Sequence, residues 1–494
     1  MNANKESAKE EKRSLGLTDA TMIVAGSMIG SGIFIVSADI SRQVGGGGWL
    51  LLSWVIAGLM TMFAALSYGE LAGMFPHAGG QYIYLRKAFN PLIGFLYGWA
   101  LFIVVQSGTI AAVAVAFAKF TGVIFPLLGD NHIFYQTILP GIGEYKLTAA
   151  QLLGVFSIFI LTFLNSLGIE YGKFILRLFT SAKLIALFGL IVLGLFVYNN
   201  PVVWEQNLEH FWDLQHWEKD PLSSSWLLTQ IGGMALAGAI GAGLVGSLFS
   251  SDAWNNVTFI AGEIRNPKKN IPISLFAGTL IVSSIYVLAN VAYLRLIPLQ
   301  GIPHGTDALS TGIQFAPNDR VGTVAATMMF GATGTLIMAV LIMISTFGCN
   351  NGLILASVRL YQAMAKDGLF FTKMQHNNKY GVPGYALWIQ FCWASVLALS
   401  GQYGTLLDYV MFAVILFYMF TIAGIFVLRK KMPDADRPYR AFGYPVVPMI
   451  YILLALFFCI NLIITKPFIS WTGIALVAAG IPVYYLLVKR GAIS

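Results

Sequence analysis

The sequence predicts an all-α integral membrane protein with about twelve transmembrane helices. Hydrophobic residues make up 57% of its 494 residues and charged residues only 11%, whereas a soluble domain carries about 25% charged residues. Apolar stretches close to the roughly 20 residues that a helix needs to cross a bilayer recur along the whole chain. The positive charges also segregate between alternate connecting segments. These three observations exclude a soluble fold.

The apolar stretches define the spans in chain order. Met1 to Ser14 are polar and show no cleavable signal peptide, so we expect 1–14 to be a short cytoplasmic tail. The stretch 321–358 is longer than a bilayer is thick and must tilt, kink or extend past the membrane. We place the spans at 15–40, 49–75, 91–125, 148–166, 174–198, 226–260, 271–296, 321–358, 384–400, 405–428, 444–464 and 469–488.

The Lys and Arg residues support this count and predict the orientation. An even number of spans puts both termini on one side of the membrane. Most of the 30 Lys and Arg residues fall in segments on that side, which the positive-inside rule assigns to the cytoplasm. The net charge of +8 therefore reflects topology, and we expect no nucleic-acid partner.

The first span contains an unusual run, Gly26-Ser27-Met28-Ile29-Gly30-Ser31-Gly32-Ile33-Phe34. Each glycine costs a helix about 1 kcal/mol relative to alanine, and in lipid every freed backbone group needs a partner. We predict that the helix unwinds here and that its backbone binds a small anionic or zwitterionic molecule. Amides near Ser31 and Gly32 would meet a carboxylate, and a carbonyl near Met28 would accept from an ammonium. The alternative is a G-x-x-x-G packing contact through Gly26 and Gly30.

The sixth span has a matching run, from Gly241 to Asn256, in which glycines lead into small polar residues. Two interrupted helices five spans apart predict a five-plus-five inverted repeat with its site where the two breaks meet. The predicted organisation is a first repeat at 15–198, an extracellular loop at 199–225, a second repeat at 226–428, a basic cytoplasmic linker at 429–443, and two further spans with a cytoplasmic C-terminus at 444–494.

Five residues of the second break are candidate ligands: Phe249, Ser250, Asp252, Trp254 and Asn255. A carboxylate inside the bilayer is costly unless it is paired or wetted. Asp252 would therefore recognise a cationic group, carry a proton, or cap local amides in a structural role, and its backbone carbonyl is a better amine ligand than its side chain. Phe249 would either cover a bound ligand as a gate or pack as an ordinary core residue.

Lys183 is the one basic residue deep within a span, about ten residues from its start. Snorkelling to the interface is difficult from that depth. Its ammonium would stand where a sodium ion sits in a sodium-coupled carrier, titrate during transport, or act as a fixed positive brace between the first and fifth spans.

The remaining reactive residues predict no further chemistry. Cys349, Cys392 and Cys459 all fall in apolar spans, and the loops at 126–147 and 199–225 contain no cysteine. We therefore expect no disulfide-linked partner subunit. The six histidines lack metal-ligand spacing, so we expect no metal and no cofactor. No nucleophile–base pair lies at membrane depth, so we expect no enzyme.

Two motifs carry a resemblance to a known family. The run from Gly30 to Phe34 resembles the first-helix signature of the amino acid–polyamine–organocation superfamily. The run from Phe249 to Asn255, with the following Ala261 to Pro272, resembles the sixth-helix region of its L-amino acid transporter branch. Supporting matches are Tyr68-Gly69-Glu70-Leu71, Phe75-Pro76 with Gly79-Gly80, Asn290-Val291-Ala292-Tyr293, Ser357-Val358-Arg359-Leu360 and Arg437-Pro438-Tyr439-Arg440.

The resemblance implies a leucine-transporter-type fold and an alternating-access carrier without sodium coupling. It implies that Ser31 and Gly32 bind the carboxylate through amides, and that Met28, Phe249 and Asp252 face the amine through carbonyls. Phe249 would also be the proximal gate. Lys183 matches the family lysine that replaces the second sodium site. Ala253 departs from the glycine of many relatives, which would narrow the pocket.

The expected function is sodium-independent exchange of L-amino acids, with neutral ones as the expected substrates. Three alternatives stay open: a proton-coupled uptake permease, a polyamine or cationic amino acid antiporter, and, from a different class, an amino acid sensor that does not transport. Animal members of the family pair with a heavy chain through a cysteine between the third and fourth spans. The chain lacks that cysteine, so it resembles a stand-alone, prokaryotic-type permease of the cytoplasmic membrane.

Overall fold

The structure, a computed structural model, describes residues 15–139, 143–198, 200–219, 225–230, 232–400 and 403–487. The tail predicted at 1–14 and the end of the chain beyond 487 lie outside the described residues. In order, the helices are α1 (Leu17–Met28), α2 (Gly32–Val44), α3 (Gly47–Met74), α4 (Gln81–Ala88), α5 (Pro91–Ile124), α6 (Ala149–Ser166), α7 (Ile169–Val192, continued by the π-helical turn Leu193–Val197), α8 (Pro201–Glu209), α9 (Met234–Ser250), α10 (Asn256–Phe259), α11 (Pro267–Leu296), α12 (Ala308–Thr311), α13 (Val321–Lys366), α14 (Gly384–Ser400), α15 (Tyr403–Lys431), α16 (Val446–Thr465), α17 (Pro467–Ala478) and α18 (Gly480–Leu487).

The helices confirm a multi-pass α-helical membrane protein. Among the described residues, nine helices are long and apolar enough to cross a membrane, counting α17 and α18 as one, and the bent pair α1–α2 would make ten. Two shorter apolar helices, Ala235–Ser250 within α9 and Gly384–Ser400, bury part of their length inside the protein. Short helices of this kind pack against longer neighbours rather than standing alone in lipid.

Two antiparallel hairpins interrupt the helical pattern, and the sequence analysis missed both. Strands β1 (Ile133–Leu139) and β2 (Gly143–Thr148) pair with each other, and β3 (Gln215–Lys219) pairs with β4 (Trp226–Gln230). The span placed at 226–260 is therefore wrong at its start: its helix begins at Met234, because the preceding segment forms β4. Alternation within so short a strand is hard to separate from the end of an apolar span.

The long helix α13 kinks rather than tilting as a single rod. Gly331 has φ of 61° and ψ of −149°, outside the helical region. Only glycine adopts this conformation at low cost. The Thr327 and Thr335 hydroxyls lie 2.6 Å apart across the kink, which holds the two halves of the helix together.

A helix ends within each of the two glycine-rich runs. α1 ends at Met28 and α2 begins at Gly32, with a bend of 43° between them. α9 ends at Ser250, and the short helix α10 begins only at Asn256. Small residues bring the outer halves α2 and α9 into direct contact: a Cβ added at Gly32 would lie 2.0 Å from the Ser250 hydroxyl, and one at Gly246 would lie 2.8 Å from Val36. We call this contact the α2–α9 seam.

The seam is closed at the end where α2 finishes. Arg42 is 7% exposed, and its Nη1 donates to the Gln314 carbonyl at 2.5 Å and to Asp319 at 2.7 Å. Its guanidinium also lies 5.4 Å from the ring centroid of Trp226 in β4. Arg42 thus ties α2 to both the segment after α12 and the second hairpin.

Candidate functional site

Five consecutive carbonyl oxygens of the first break each meet a donor from another element. When a helix stops inside an apolar protein, its last carbonyls lose their partners, and a buried carbonyl without a hydrogen bond costs about 1–3 kcal/mol. The donors come from α7, α11 and α13. They are Lys183 Nζ to Gly26, Cys349 Sγ to Ser27 at 3.2 Å, Tyr286 Oη to Met28 at 3.0 Å, Lys183 Nζ to Ile29 at 2.6 Å, and Ser345 Oγ to Gly30 at 3.4 Å.

Lys183 therefore lies where the sequence analysis expected it, against the first helix. It is 1% exposed, and its ammonium joins the carbonyls on both sides of the end of α1, Gly26 and Ile29. Carbonyl oxygens are also the usual ligands of a hard cation. The side chain of Lys183 thus brings a positive charge to a pair of oxygens that would otherwise suit a metal ion.

Tyr286 connects the two breaks. Its hydroxyl lies 3.0 Å from the carbonyl of Met28 and 3.0 Å from the carbonyl of Ser250. A phenol has one hydrogen to donate, so it can satisfy only one of the two oxygens fully at a time. A carbonyl oxygen has two lone pairs, so the tyrosine leaves both oxygens able to accept from a further donor.

The amides at the start of α2 lie on the C-terminal side of the first break. α2 begins at Gly32 with Ser31 as its N-cap residue. The amides of its first turn lack partners within the helix and lie at the positive end of the helix dipole. Ser27, Met28, Ile29, Gly30, Ser31 and Gly32 are all buried. Amides and carbonyls of one short buried segment thus lie close together.

The second break holds the buried acid. Asp252 is 9% exposed, and its Oδ1 accepts a hydrogen bond of 2.6 Å from the Tyr418 hydroxyl in α15. The next residue, Ala253, has φ of 64°, a left-handed conformation that costs a residue with a Cβ about 1–2 kcal/mol. This strain explains why glycine would suit the position. Phe249 lies in the last turn of α9 and is 8% exposed.

Trp254 packs against α3 and α15, and Asn255 bonds to α4. Trp254 packs its ring 4.8 Å from Tyr68 and 5.2 Å from Tyr418. Asn255 donates to Gln81 at 3.1 Å, and Gln81 donates to Thr421 at 2.9 Å. Both side chains hold the broken helix against its neighbours, and the structure does not bring them to the first break.

Four residues at the breaks escaped the sequence analysis: Tyr286, Ser345, Cys349 and Tyr418. Each lies in a largely apolar span, where interhelical packing is the usual role of a polar group. Tyr286 precedes Asn290 by one helical turn. The side-chain amide of Asn290 donates a hydrogen bond to the backbone carbonyl of Tyr286 at 2.8 Å. A stripe of polar residues at this spacing is the signal that was available.

A cavity of about 300 Å³ opens beside α1 at the face where that helix begins. It reaches Ser27 of the first break and is lined mainly by apolar side chains of α1 and α13, including Met22, Ile23 and Leu355. Glu263 and Arg359 line the same cavity and form an ion pair with 3.3 Å between Oε1 and Nη2. A second cavity of about 580 Å³ lies at the opposite end of α2, where Arg42, Trp226 and Ala242 line it, and its lining does not include the first break.

The described residues contain no cluster of His, Cys, Asp or Glu that could hold a metal. Cys349, Cys392 and Cys459 are free thiols.

Comparison with known proteins gives a consistent result. The family model described as amino acid permease matches residues 15–488. The serine/threonine exchanger SteT of Bacillus subtilis is 28% identical over 97% of this chain and 98% of its own length. The human large neutral amino acids transporter small subunit 2 is 30% identical over 96% of this chain and 80% of its own length. The mouse Asc-type amino acid transporter 1 is 28% identical over 96% of this chain and 81% of its own length.

Proposed function

Because this chain belongs to the amino acid permease family, it is an amino acid transporter, and we propose that it is a sodium-independent exchanger of neutral L-amino acids. The relatives support this choice, since one is named as a serine/threonine exchanger and another as a transporter of large neutral amino acids. A membrane enzyme has no support among the relatives named above, which are transporters or exchangers by name.

The observation that carries the proposal is the bridge between the two broken helices at Tyr286. An amino acid entering there would place its ammonium at the carbonyls of Met28 and Ser250, which lie 3.0 Å from the tyrosine hydroxyl. Its carboxylate would meet the amides of Ser31 and Gly32 at the start of α2. The carbonyls of Phe249 and Asp252 would complete the amine site, and Phe249 would act as the gate. This set reads the groups that all α-amino acids share.

Sodium independence follows from Lys183 in this proposal. The ammonium donates to Gly26 and Ile29, so a second cation beside it would meet direct electrostatic repulsion. In an exchanger the lysine stays charged through the cycle as a brace. In the alternative of a proton-coupled permease, Lys183 or Asp252 would release and bind the proton.

We further propose twelve spans in a leucine-transporter-type, five-plus-five arrangement, with the breaks in the first and sixth. The bent pair α1–α2 and the two shorter helices α9 and α14 would add three spans to the nine long ones. Both termini would be cytoplasmic, in a bacterial-type cytoplasmic membrane. The cavity beside α1 would then open to the cytoplasm, as expected of an inward-facing state. We propose that the protein acts without a disulfide-linked heavy chain.

A second substrate class, cationic amino acids, is favoured by one observation. The buried carboxylate of Asp252 has a hydroxyl partner, Tyr418, and no cationic partner among the described residues. A substrate ammonium or guanidinium would supply the missing charge.

Counterflow of labelled amino acids into sodium-free proteoliposomes tests the proposal. Neutral L-amino acids are expected to accumulate when the vesicles hold unlabelled substrate. If Asp252 reads a cationic side chain, Asp252→Asn would abolish counterflow of lysine and leave that of leucine or serine within about tenfold. Absence of counterflow for every amino acid, with folded protein, would contradict transport and favour a sensor.

A further inference from the structure

The carboxylate of Glu70 is the centre of a charge cluster on the side of α3 away from the substrate site. Glu70 is 1% exposed. It accepts two hydrogen bonds from Arg429, from Nε at 3.0 Å and Nη2 at 2.7 Å, and a third from the Ala441 amide at 2.7 Å. Arg437 Nε lies 3.3 Å away as a second cation. We call Glu70, Arg429, Arg437 and Ala441 the Glu70 cluster.

The cluster joins α3 to a distant part of the sequence, the end of α15 and the linker that follows it. Glu70 belongs to α3, Arg429 to the last turn of α15, and Arg437 and Ala441 to the linker between α15 and α16. Arg437 also donates to the carbonyls of Met432 at 2.7 Å and Ala435 at 3.0 Å, so it closes the end of α15 and shapes the linker. The cluster therefore fixes the end of α15 to α3 through a buried anion that accepts three hydrogen bonds.

The linker packs against α3 without space to shift. A Cβ at Gly69 would lie 2.8 Å from the ring of Tyr439, and the Arg429 guanidinium stacks 3.6 Å from the ring centroid of Tyr444. By contrast, the other ion pair of the linker, Lys268 with Asp436, joins side chains that are 53% and 72% exposed. Exposed pairs of that kind contribute little to stability.

α15 connects this cluster to the candidate substrate site. Tyr418, which donates to Asp252, precedes Arg429 by eleven residues of continuous helix, which is three turns. The two side chains therefore lie on the same face of α15, and Tyr68 of α3 lies against Tyr418 with ring centroids 5.7 Å apart. A shift of α15 along α3 would pull the Tyr418 hydroxyl away from the acid.

We propose that Glu70 is a positioning residue for the substrate site: it fixes α15 on α3 and thereby sets the contact between Tyr418 and Asp252. This inference rests on the proposed function of the second break. It assigns a role to the motifs at 68–71 and 437–440, which the proposed substrate contacts leave unused.

A double-mutant cycle tests the inference through the KM for counterflow of a labelled neutral L-amino acid. Glu70→Gln removes the anion and keeps the shape, and Tyr418→Phe removes the hydroxyl that Glu70 is held to position. Each single variant is expected to raise KM by about 2- to 30-fold, and the double variant to be no worse than the more affected single one. The control Asp436→Asn, in the exposed pair, is expected to leave KM unchanged.

The inference would be overturned if the KM effects of the two single variants multiplied in the double variant, because the two residues would then act independently. A Glu70→Gln variant with unchanged KM would also overturn it, as would a Tyr418→Phe variant with unchanged KM beside an affected Glu70→Gln. If Glu70→Gln does not fold, Arg437→Gln takes its place in the same cycle, because it leaves the bidentate pair with Arg429 intact.

Hydrogen exchange supplies a readout that needs no transport. Glu70→Gln is expected to speed amide exchange in the segment 251–256, and Asp436→Asn is expected not to. Unchanged exchange there would contradict the inference even if the transporter moved no amino acid in the assay. A faster exchange without counterflow would contradict the proposed function alone.

Discussion

Lys183 is the single residue on which the backbone of the first break depends most. Its ammonium serves two carbonyls, Gly26 and Ile29, and is 1% exposed. From its depth in an apolar span, where a charge must find a partner, the sequence predicted that Lys183 replaces a sodium ion, titrates during transport, or braces the first span against the fifth. The sequence could not predict which oxygens accept hydrogen bonds from Lys183, since α1 and α7 come together only in the fold.

Replacing Lys183 by methionine tests its role. The change removes the charge and both hydrogen bonds and leaves two buried carbonyls without that donor, at about 1–3 kcal/mol each. We expect counterflow to fall at least about tenfold and the apparent unfolding temperature in detergent to decrease. Lys268→Ala, at an exposed ion pair, is the control and should keep both. A Lys183→Met protein with full exchange would contradict the brace.

Tyr286 makes a second prediction at this scale. Tyr286→Phe removes the hydroxyl between Met28 and Ser250 but keeps the ring against Trp54, with ring centroids 5.2 Å apart. One net hydrogen bond is worth about 0.5–1.5 kcal/mol, so kcat/KM for counterflow should fall about 2- to 12-fold. Tyr293, in the same helix, donates to Ile33 at the longer distance of 3.3 Å. Tyr293→Phe should change kcat/KM less, and the reverse order would refute the bridge.

At the scale of elements, the α2–α9 seam is what separates the site from the face closed by Arg42. In it, a glycine of one helix lies against a side chain of the other: Gly246 faces Val36, and Gly32 faces Ser250. The sequence showed that these glycines interrupt or thin the helices. It did not show that they face each other, because a glycine pattern predicts close approach without naming the partner.

Gly246→Ala tests the seam. Its new Cβ would lie 2.8 Å from Val36, so the helices must separate, at a cost of about 1–3 kcal/mol for overpacking. We expect a lower unfolding temperature and slower exchange in proteoliposomes. Gly189→Ala in α7 is the matched control, because no atom lies within 4 Å of its added Cβ and alanine favours a helix by about 1 kcal/mol. Equal behaviour of the two variants would contradict the seam.

For the whole molecule, hydropathy predicted the elements better than their connections. Most helices begin and end within a few residues of the predicted spans, because twenty apolar residues have few alternatives to a membrane helix. The hairpins and the kink at Gly331 depend on turn conformation and neighbouring loops, which hydropathy does not report. The two breaks were found because glycine and serine at membrane depth are unfavourable unless they serve a purpose. Their bridge through Tyr286 was not, because a tyrosine in an apolar span has no such signature.

The central claim is that the two breaks form one site at which one amino acid is exchanged for another without a coupling ion. The most direct test is uptake of labelled neutral L-amino acid by proteoliposomes that are either empty or loaded with unlabelled amino acid, with and without sodium and at two external pH values. The account predicts uptake only into loaded vesicles, unchanged by sodium or by the pH gradient. Uptake into empty vesicles driven by sodium or by an inward proton gradient would contradict it.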